Sequence, residues 1–344
     1  MRVVFRVDAS ETVGAGHLVR CLVLADLIAD FGGASHFLVR NRNVVADRLL
    51  HNSAHEVRYL NLPESSSILD DARASAEAMP GVVDWVVVDH YGLDSRWEVA
   101  LHSYTKFLLV IDDLANRAHA CDLLVDPGFG RQVAHYAGLM ERRAEMLLGT
   151  RHAILKPAFA DYHNVAPIWP AVCHAHVFFG GGSPVAWLPA YVKAMLDAIP
   201  TLSLCAVGFA DEESMAQLIK IYGLRLKWKR HVEKMALEYS QCDIAIGSPG
   251  TATWERACVG LPSGLIATAN NQIPILHDLE RQGFCRYLGA AWEFNELEFV
   301  GLFRDFLQDR SSLVAMRALG ISSVDGNGAR RIVQKLFSES VGDV

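Results

Sequence analysis

The chain has 344 residues, 51% hydrophobic and 21% charged, with a net charge of −7. Such apolar content excludes a disordered chain, and the length predicts two domains of roughly 150 residues each. The negative balance argues against nucleic acid or an anionic membrane as a bulk partner.

Seven cysteines at positions 21, 121, 173, 205, 242, 258 and 285 form no C-x-x-C pair, the pattern of free thiols in a reducing compartment. Met1 runs straight into "RVVFRVDA" without the apolar stretch of a secretory signal, and no apolar run reaches the ~20 residues of a membrane span. The expectation is a soluble, cytoplasmic protein without stable membrane insertion; nothing sets its oligomeric state.

In chain order, "VVFRV", "SHFLV", "HEVRYL", "WVVVDHY" and "KFLLVID" read as short buried strands. Helical stretches separate them: 18–31, "NVVADRLLHN", "SILDDARASAEAM" and "SRWEVALHSY". Helix 18–31 sets Leu18, Cys21, Leu22, Ala25 and Ile28 on one stripe of 3.6-residue period. Residues 151–171 lose periodicity and gather prolines, which predicts an interdomain connector. The rhythm then restarts with "CHAHVFF", "GGGSP" and a helix from about Val185, followed by "LSLCAVG", "DEESMAQLIKIYG" and "VEKMALEYSQ". "DIAIGSPG", a helix from Thr253, "GLIATA", a helix from about Gln272 and the terminal helix "GARRIVQKLFSES" complete it. The fold class is therefore α/β, with two Rossmann-like βα domains at 1–150 and 172–344 and a cleft between them.

Open parallel sheets bind ligands at the carboxyl ends of their strands, so the loops that follow strands carry the candidates. In "TVGAGH", Gly14 and Gly16 permit a tight turn at a helix start, where exposed amides attract anions. Val19 replaces the third glycine of a dinucleotide fingerprint, so that reading is weak. His17 is either a general base, an imidazole's ordinary pKa of about 6.5 suiting that work, or a capping residue.

"VVVDHYGLD" delivers Asp89, His90 and Tyr91 to the same edge, as a pair that orients an imidazole or a substrate hydroxyl, or as a loop cap with a packing tyrosine. Asp112 and Asp113 invite a metal, but adjacent strand residues point to opposite faces, so a turn cap is the better reading and no metal is assigned. In the second half, the Gly-Pro-Gly turn with Gly250, Thr251 and Thr253 opens a helix whose N-terminus suits an anion. Glu255, read in its first turn, binds ribose hydroxyls or closes a capping box. His174 and His176 lack further ligands for a metal, and the isolated tryptophans read as core or cleft wall.

Taken together, "RVDASETVGAGHLVRCLVLA", "VVVDHYGLD", "IDDLANRAHACDLLVD", "LLGTRHAILKPAF", "FFGGGSP" and "AIGSPGTATWERACVGLP" followed by "NNQ" resemble the hydrolase family of pseudaminic acid biosynthesis. Its members release UDP from UDP-2,4-diacetamido-2,4,6-trideoxy-β-L-altropyranose. The resemblance covers most of residues 2–290 and implies a GT-B-like, MurG-like fold, with the sugar on the first domain and UDP on the second. It implies that His17 activates the water that attacks the anomeric carbon with inversion, with no metal or other cofactor. Arg20, Asp89, His90, Tyr91, Gly181, Ser183, Gly250, Thr251, Thr253, Asn271 and Gln272 fall at substrate-binding positions, and Glu255 at the ribose.

The chain departs from the family pattern at three places. Pro184 stands for an aspartate, Lys156-Pro157-Ala158-Phe159 for Arg-Pro-Glu-Phe, and Pro249-Gly250 for Gly-Gly. Replacing Arg by Lys loses bidentate recognition of an anion, so the sugar or nucleotide is open to change. A GT-B glycosyltransferase that uses a UDP-sugar donor and a non-catalytic nucleotide-sugar binder are the alternatives.

Overall fold

The computed structural model describes residues 1–10, 14–51, 53–166, 172–180 and 186–341 of the chain. Two compact units result, Met1–Lys156 with Asn327–Val344, and Pro157–Gly326.

The first unit runs β1 (Arg2–Val7), α1 (Gly16–Asp30), β2 (Ala34–Val39), α2 (Val44–Leu50), β3 (Glu56–Tyr59), α3 (Ile68–Ala78) and β4 (Val83–Asp89). It continues with α4 (Ser95–Leu101), β5 (Thr105–Ile111), β6 (Leu123–Asp126) and β7 (Glu145–Leu148). Its strands form one parallel sheet in the order β3-β2-β1-β4-β5-β6-β7. Apolar residues cover both faces: Val3, Phe5, Val7, Leu24 and Ile28 lie in one core, Val4, Val86, Val88 and Trp97 in another. That double burial is why these strands read as continuous apolar runs rather than alternating ones.

The second unit contains α5 (Ala158–Asp161), β8 (His174–Phe178), α6 (Leu188–Ala198), β9 (Ser203–Val207), α7 (Glu212–Tyr222), β10 (Leu226–Lys229) and α8 (Met235–Ser240). It goes on through β11 (Ile244–Gly247), α9 (Thr251–Val259), β12 (Ser263–Ala267), α10 (Ile273–Arg281), β13 (Arg286–Ala290), α11 (Glu296–Gln308) and α12 (Arg310–Ser323). Its parallel sheet has the order β10-β9-β8-β11-β12-β13. The strands β6, β7, β10 and β13 are short, and the sequence reading did not single them out.

The domain boundaries need two corrections. The terminal helix α13 (Gly328–Val341), read as the end of the second domain, belongs to the first unit. There Ile332, Val333 and Leu336 are fully buried in the core with Val3 and Phe5, and the Trp85 indole donates to Leu336 O at 3.2 Å. Amphipathic periodicity shows that a helix has a face to bury, not which sheet will cover it. Nor is the connector expected at 151–171 free over its described part, 151–166. Ile154 packs in the first core, while Asn164 N and Ala166 N donate to Cys258 O and Val259 O of the second unit. Lys156 and Pro157 mark the change of unit.

Candidate active site

Strand order creates the first candidate site. β1 lies between β2 and β4, and Val7 at its end is level with Asp89 at the end of β4. Connections that diverge from neighbouring strands leave a crevice at their carboxyl ends. Asp8 follows β1 there, and α1 enters through a turn in which Gly14 adopts φ +84° and donates to Ser10 O at 2.8 Å. A positive φ at that residue calls for glycine. Gly16 is the first residue of α1, with open space where a Cβ would stand.

His17 and Arg20 share a face of α1, one turn apart, and both meet Asp89. His17 Nδ1 lies 2.6 Å from Asp89 Oδ1, while Arg20 forks onto both oxygens, Nε to Oδ2 at 2.5 Å and Nη2 to Oδ1 at 2.6 Å. Burial pushes the Asp89 pKa up, but the Arg20 and His17 charges and hydrogen bonds outweigh it and hold the carboxyl well below its ordinary range. An ionised carboxylate only accepts, so the 2.6 Å contact places a proton on Nδ1, and a neutral imidazole held this way carries its lone pair on Nε2. Arg20 Nη2, 3.1 Å from Nδ1, is then a flanking contact, since both atoms carry protons. Nε2 makes no hydrogen bond among the described residues, and His17 is 8% exposed. Tyr91 sets its ring edge-on to the imidazole, centroids 4.5 Å apart.

Asp89 and Arg20, expected to touch substrate, are instead buried and committed to protein groups; Arg20 also pairs with Asp113 at 2.9 Å. The expected Asp89–His90 pair does not form. His90 Nε2 faces Asp8 Oδ2 at 3.2 Å, and the buried Arg6 bridges Asp8 to Asp71. Asp112 accepts from Leu114 N and Ala115 N and pairs with Arg117, the turn cap that geometry favoured over a metal ligand.

A second switch point lies between β8 and β11, where Phe178 is level with Gly247. A Cβ on Gly247 would stand 2.0 Å from Phe178 O, so the strand ends approach closely because that residue is glycine. Gly250, at φ +119°, caps α9, which starts at Thr251 rather than Thr253. Glu255 is therefore in the second turn, and no acidic residue stands in the first. Thr251 is half-buried; Thr253 is buried with its hydroxyl unpartnered, so it does not present a surface for ligand. Asn271 is exposed, while Gln272 Oε1 accepts from Thr268 N at 2.8 Å and fixes its loop. Gly181, Ser183 and the Pro184 departure lie outside the described residues.

Three participants escaped the sequence reading. Asp8 carried a signal, an acid directly after a strand; Asp113 was weighed as a metal ligand or a turn cap, not as a partner of Arg20; and Arg256 is fully buried on α9.

No protein-family model matches the chain. It is 24% identical over 174 residues to the UDP-2,4-diacetamido-2,4,6-trideoxy-beta-L-altropyranose hydrolase of Campylobacter jejuni, over 46% of this chain and 53% of that protein. The chain thus spans about half the length of the curated relative it matches. Among solved structures it is similar to MurG of Acinetobacter baumannii, with a TM-score of 0.71 and 15% identity over 98% of this chain and 99% of that one. It is also similar to the UDP-GlcNAc 2-epimerase of Neisseria meningitidis bound to UDP-GlcNAc, with a TM-score of 0.61 and 11% identity over 98% and 100%. No helix among the described residues is long and apolar enough to cross a membrane. Two parallel-sheet α/β domains of the GT-B class are the architecture of this chain.

Proposed function

We propose that this chain is a nucleotide-sugar hydrolase that releases UDP from a UDP-linked 2,4-diacetamido-2,4,6-trideoxyhexose and acts without a metal. The observation that carries the proposal is the buried Asp89 carboxylate on His17 Nδ1, which leaves Nε2 free as a base at a switch point of the sheet. Similarity to the Campylobacter hydrolase supports the substrate class.

A water held by His17 Nε2 attacks the anomeric carbon and gives up its proton to that nitrogen. The C–O bond to UDP breaks, its electron pair leaves on the β-phosphate oxygen, and the anomeric centre inverts. Asp89 holds the imidazole's orientation and stabilises the imidazolium as it forms. In the first unit, the Gly14 and Gly16 turn, His90 and Tyr91 face the sugar. In the second, the α9 N-terminus at Gly250 and Thr251 takes the diphosphate and stabilises its growing charge. Glu255 takes the ribose, Asn271 and Gln272 approach the sugar-phosphate, and Gly181 and Ser183 complete the binding set. The cytoplasm, where nucleotide sugars are made, is the proposed location.

The test is UDP release from UDP-2,4-diacetamido-2,4,6-trideoxy-β-L-altropyranose in EDTA without an added acceptor, for the intact protein and His17→Ala. Release that falls about 10²–10⁴-fold in the variant fits a lost general base. No release from the intact protein refutes the proposal. A second reading, transfer to an acceptor hydroxyl deprotonated by the same histidine, is favoured by the whole-chain likeness to MurG. Turnover that depends on an added acceptor would establish it.

A further inference from the structure

Beneath the turn between β11 and α9 lies a buried arginine that the proposed reaction does not use. Side chains on a helix lean toward its N-terminus, and Arg256 reaches back to donate from Nη2 to Ser248 O at 2.8 Å. Its Nη1 lies where a Cβ on Gly247 would come within 2.7 Å. Nε and Nη1 have no hydrogen-bond partner among the described residues, although the residue is fully buried. Arg6 and Arg20, also buried, each fork onto aspartates; no ion pair within 4.0 Å is formed by Arg256 among the described residues.

Among the described residues no carboxylate forms an ion pair with Arg256, and Glu255, its neighbour in sequence, reaches it through its field. His176, with both ring nitrogens unpartnered, packs edge-on against Tyr239, whose hydroxyl is also unpartnered. Burial, then the Arg256 and Lys229 charges, push the His176 pKa down to about 3, so the ring is neutral. Burial also pulls the Arg256 pKa down, more than the fields of Tyr239, Glu255 and Cys285 push it up. An unpaired buried guanidinium is costly, and here it shares one turn with the positive end of α9.

We propose that Arg256 is a charge-balancing residue for a bound diphosphate, a cation held without a carboxylate under the 248–251 turn so that the arriving anion completes its neutralisation. The inference rests on the UDP-sugar reading of that turn. Arg256 acts without touching the ligand, by holding Ser248 and by its field.

Titration calorimetry of the full chain with UDP, uridine and inorganic pyrophosphate, intact and as Arg256→Met, tests it alongside thermal melts. The expected result is weaker binding of UDP and pyrophosphate by about tenfold or more, with uridine affinity unchanged. The unliganded variant should melt no lower than the intact protein, because an apolar replacement removes an unpaired buried charge. Arg256→Lys, which keeps the charge, should retain most of the UDP affinity. Unchanged UDP affinity in Arg256→Met with a lowered melting point would make the arginine structural only and overturn the proposal. If Arg256→Met does not fold, the intact protein decides: stabilisation by pyrophosphate no greater than by uridine overturns it. Pyrophosphate binding that weakens in Arg256→Met, without UDP binding to the intact protein, refutes the UDP-sugar reading and sustains the anion-balancing role of Arg256; binding of neither overturns both.

Discussion

Asp89→Asn changes a single atom group at the centre of the first site. The carboxylate now accepts from His17 Nδ1 at 2.6 Å and from Arg20 at 2.5 and 2.6 Å. An asparagine amide facing Nδ1 donates instead, which moves the imidazole proton to Nε2 and removes the base. The whole general-base contribution is then lost, so kcat should fall about 10³-fold. Arg20 keeps only Asp113, and breaking a buried pair costs the fold about 3 kcal/mol, a fall of about 6–12 °C in the melting point of a unit this size. Steady-state UDP release at saturating substrate gives kcat, and circular dichroism melts give stability. Because His17 and Asp89 act as one unit, Asp89→Asn combined with His17→Ala should be no slower than His17→Ala alone. An Asp89→Asn enzyme that keeps kcat within about tenfold of the intact protein, below the usual worth of a general base, would refute the orienting role.

Three further outcomes follow from other sites. His119 is fully buried, with Nδ1 2.7 Å from Glu98 Oε1 and Nε2 3.5 Å from Asp112 Oδ2; burial pushes its pKa down, but the two carboxylates outweigh it and raise it. Its stabilisation is complete below the unfolded value of about 6.5 and lost as pH rises through the folded one, so denaturant midpoints should fall on the alkaline side and His119→Gln should flatten that limb. Gly247→Ala, with a Cβ 2.0 Å from Phe178 O, should destabilise the second unit by about 3 kcal/mol or more, read from urea melts. Glu255→Gln should raise KM for the UDP-sugar about tenfold, one charge-assisted hydrogen bond, while kcat changes little; a kcat collapse instead would move Glu255 into the chemistry.

Local signals were legible where the chain itself carries them. The glycine turn before α1 and the placing of His17 at its mouth follow from residue types and spacing. Asp89 was visible as a strand-end carboxylate, but its partner lies 72 residues away, and only the adjacency of β1 and β4 brings the two together. Arg20 was within reach, since an i, i+3 spacing from His17 puts both on one helix face. The same adjacency gives His90 to Asp8 rather than to Asp89. α13 shows the limit of periodicity: its apolar stripe is plain, yet the choice of first unit is decided by Trp85, Phe31 and the β1 core. Arg256 was hidden because a charged residue in an amphipathic helix reads as solvated until its burial is known.

The most direct measurement runs the hydrolysis in H₂¹⁸O with EDTA and follows ¹⁸O in both products by mass spectrometry at early times. Water attack at the anomeric carbon puts the label in the free sugar and leaves UDP unlabelled, and His17→Ala should slow this incorporation by about 10²–10⁴-fold. Label in the phosphate of UDP, or no turnover until an acceptor is supplied, would contradict hydrolysis at the anomeric carbon by the His17–Asp89 pair.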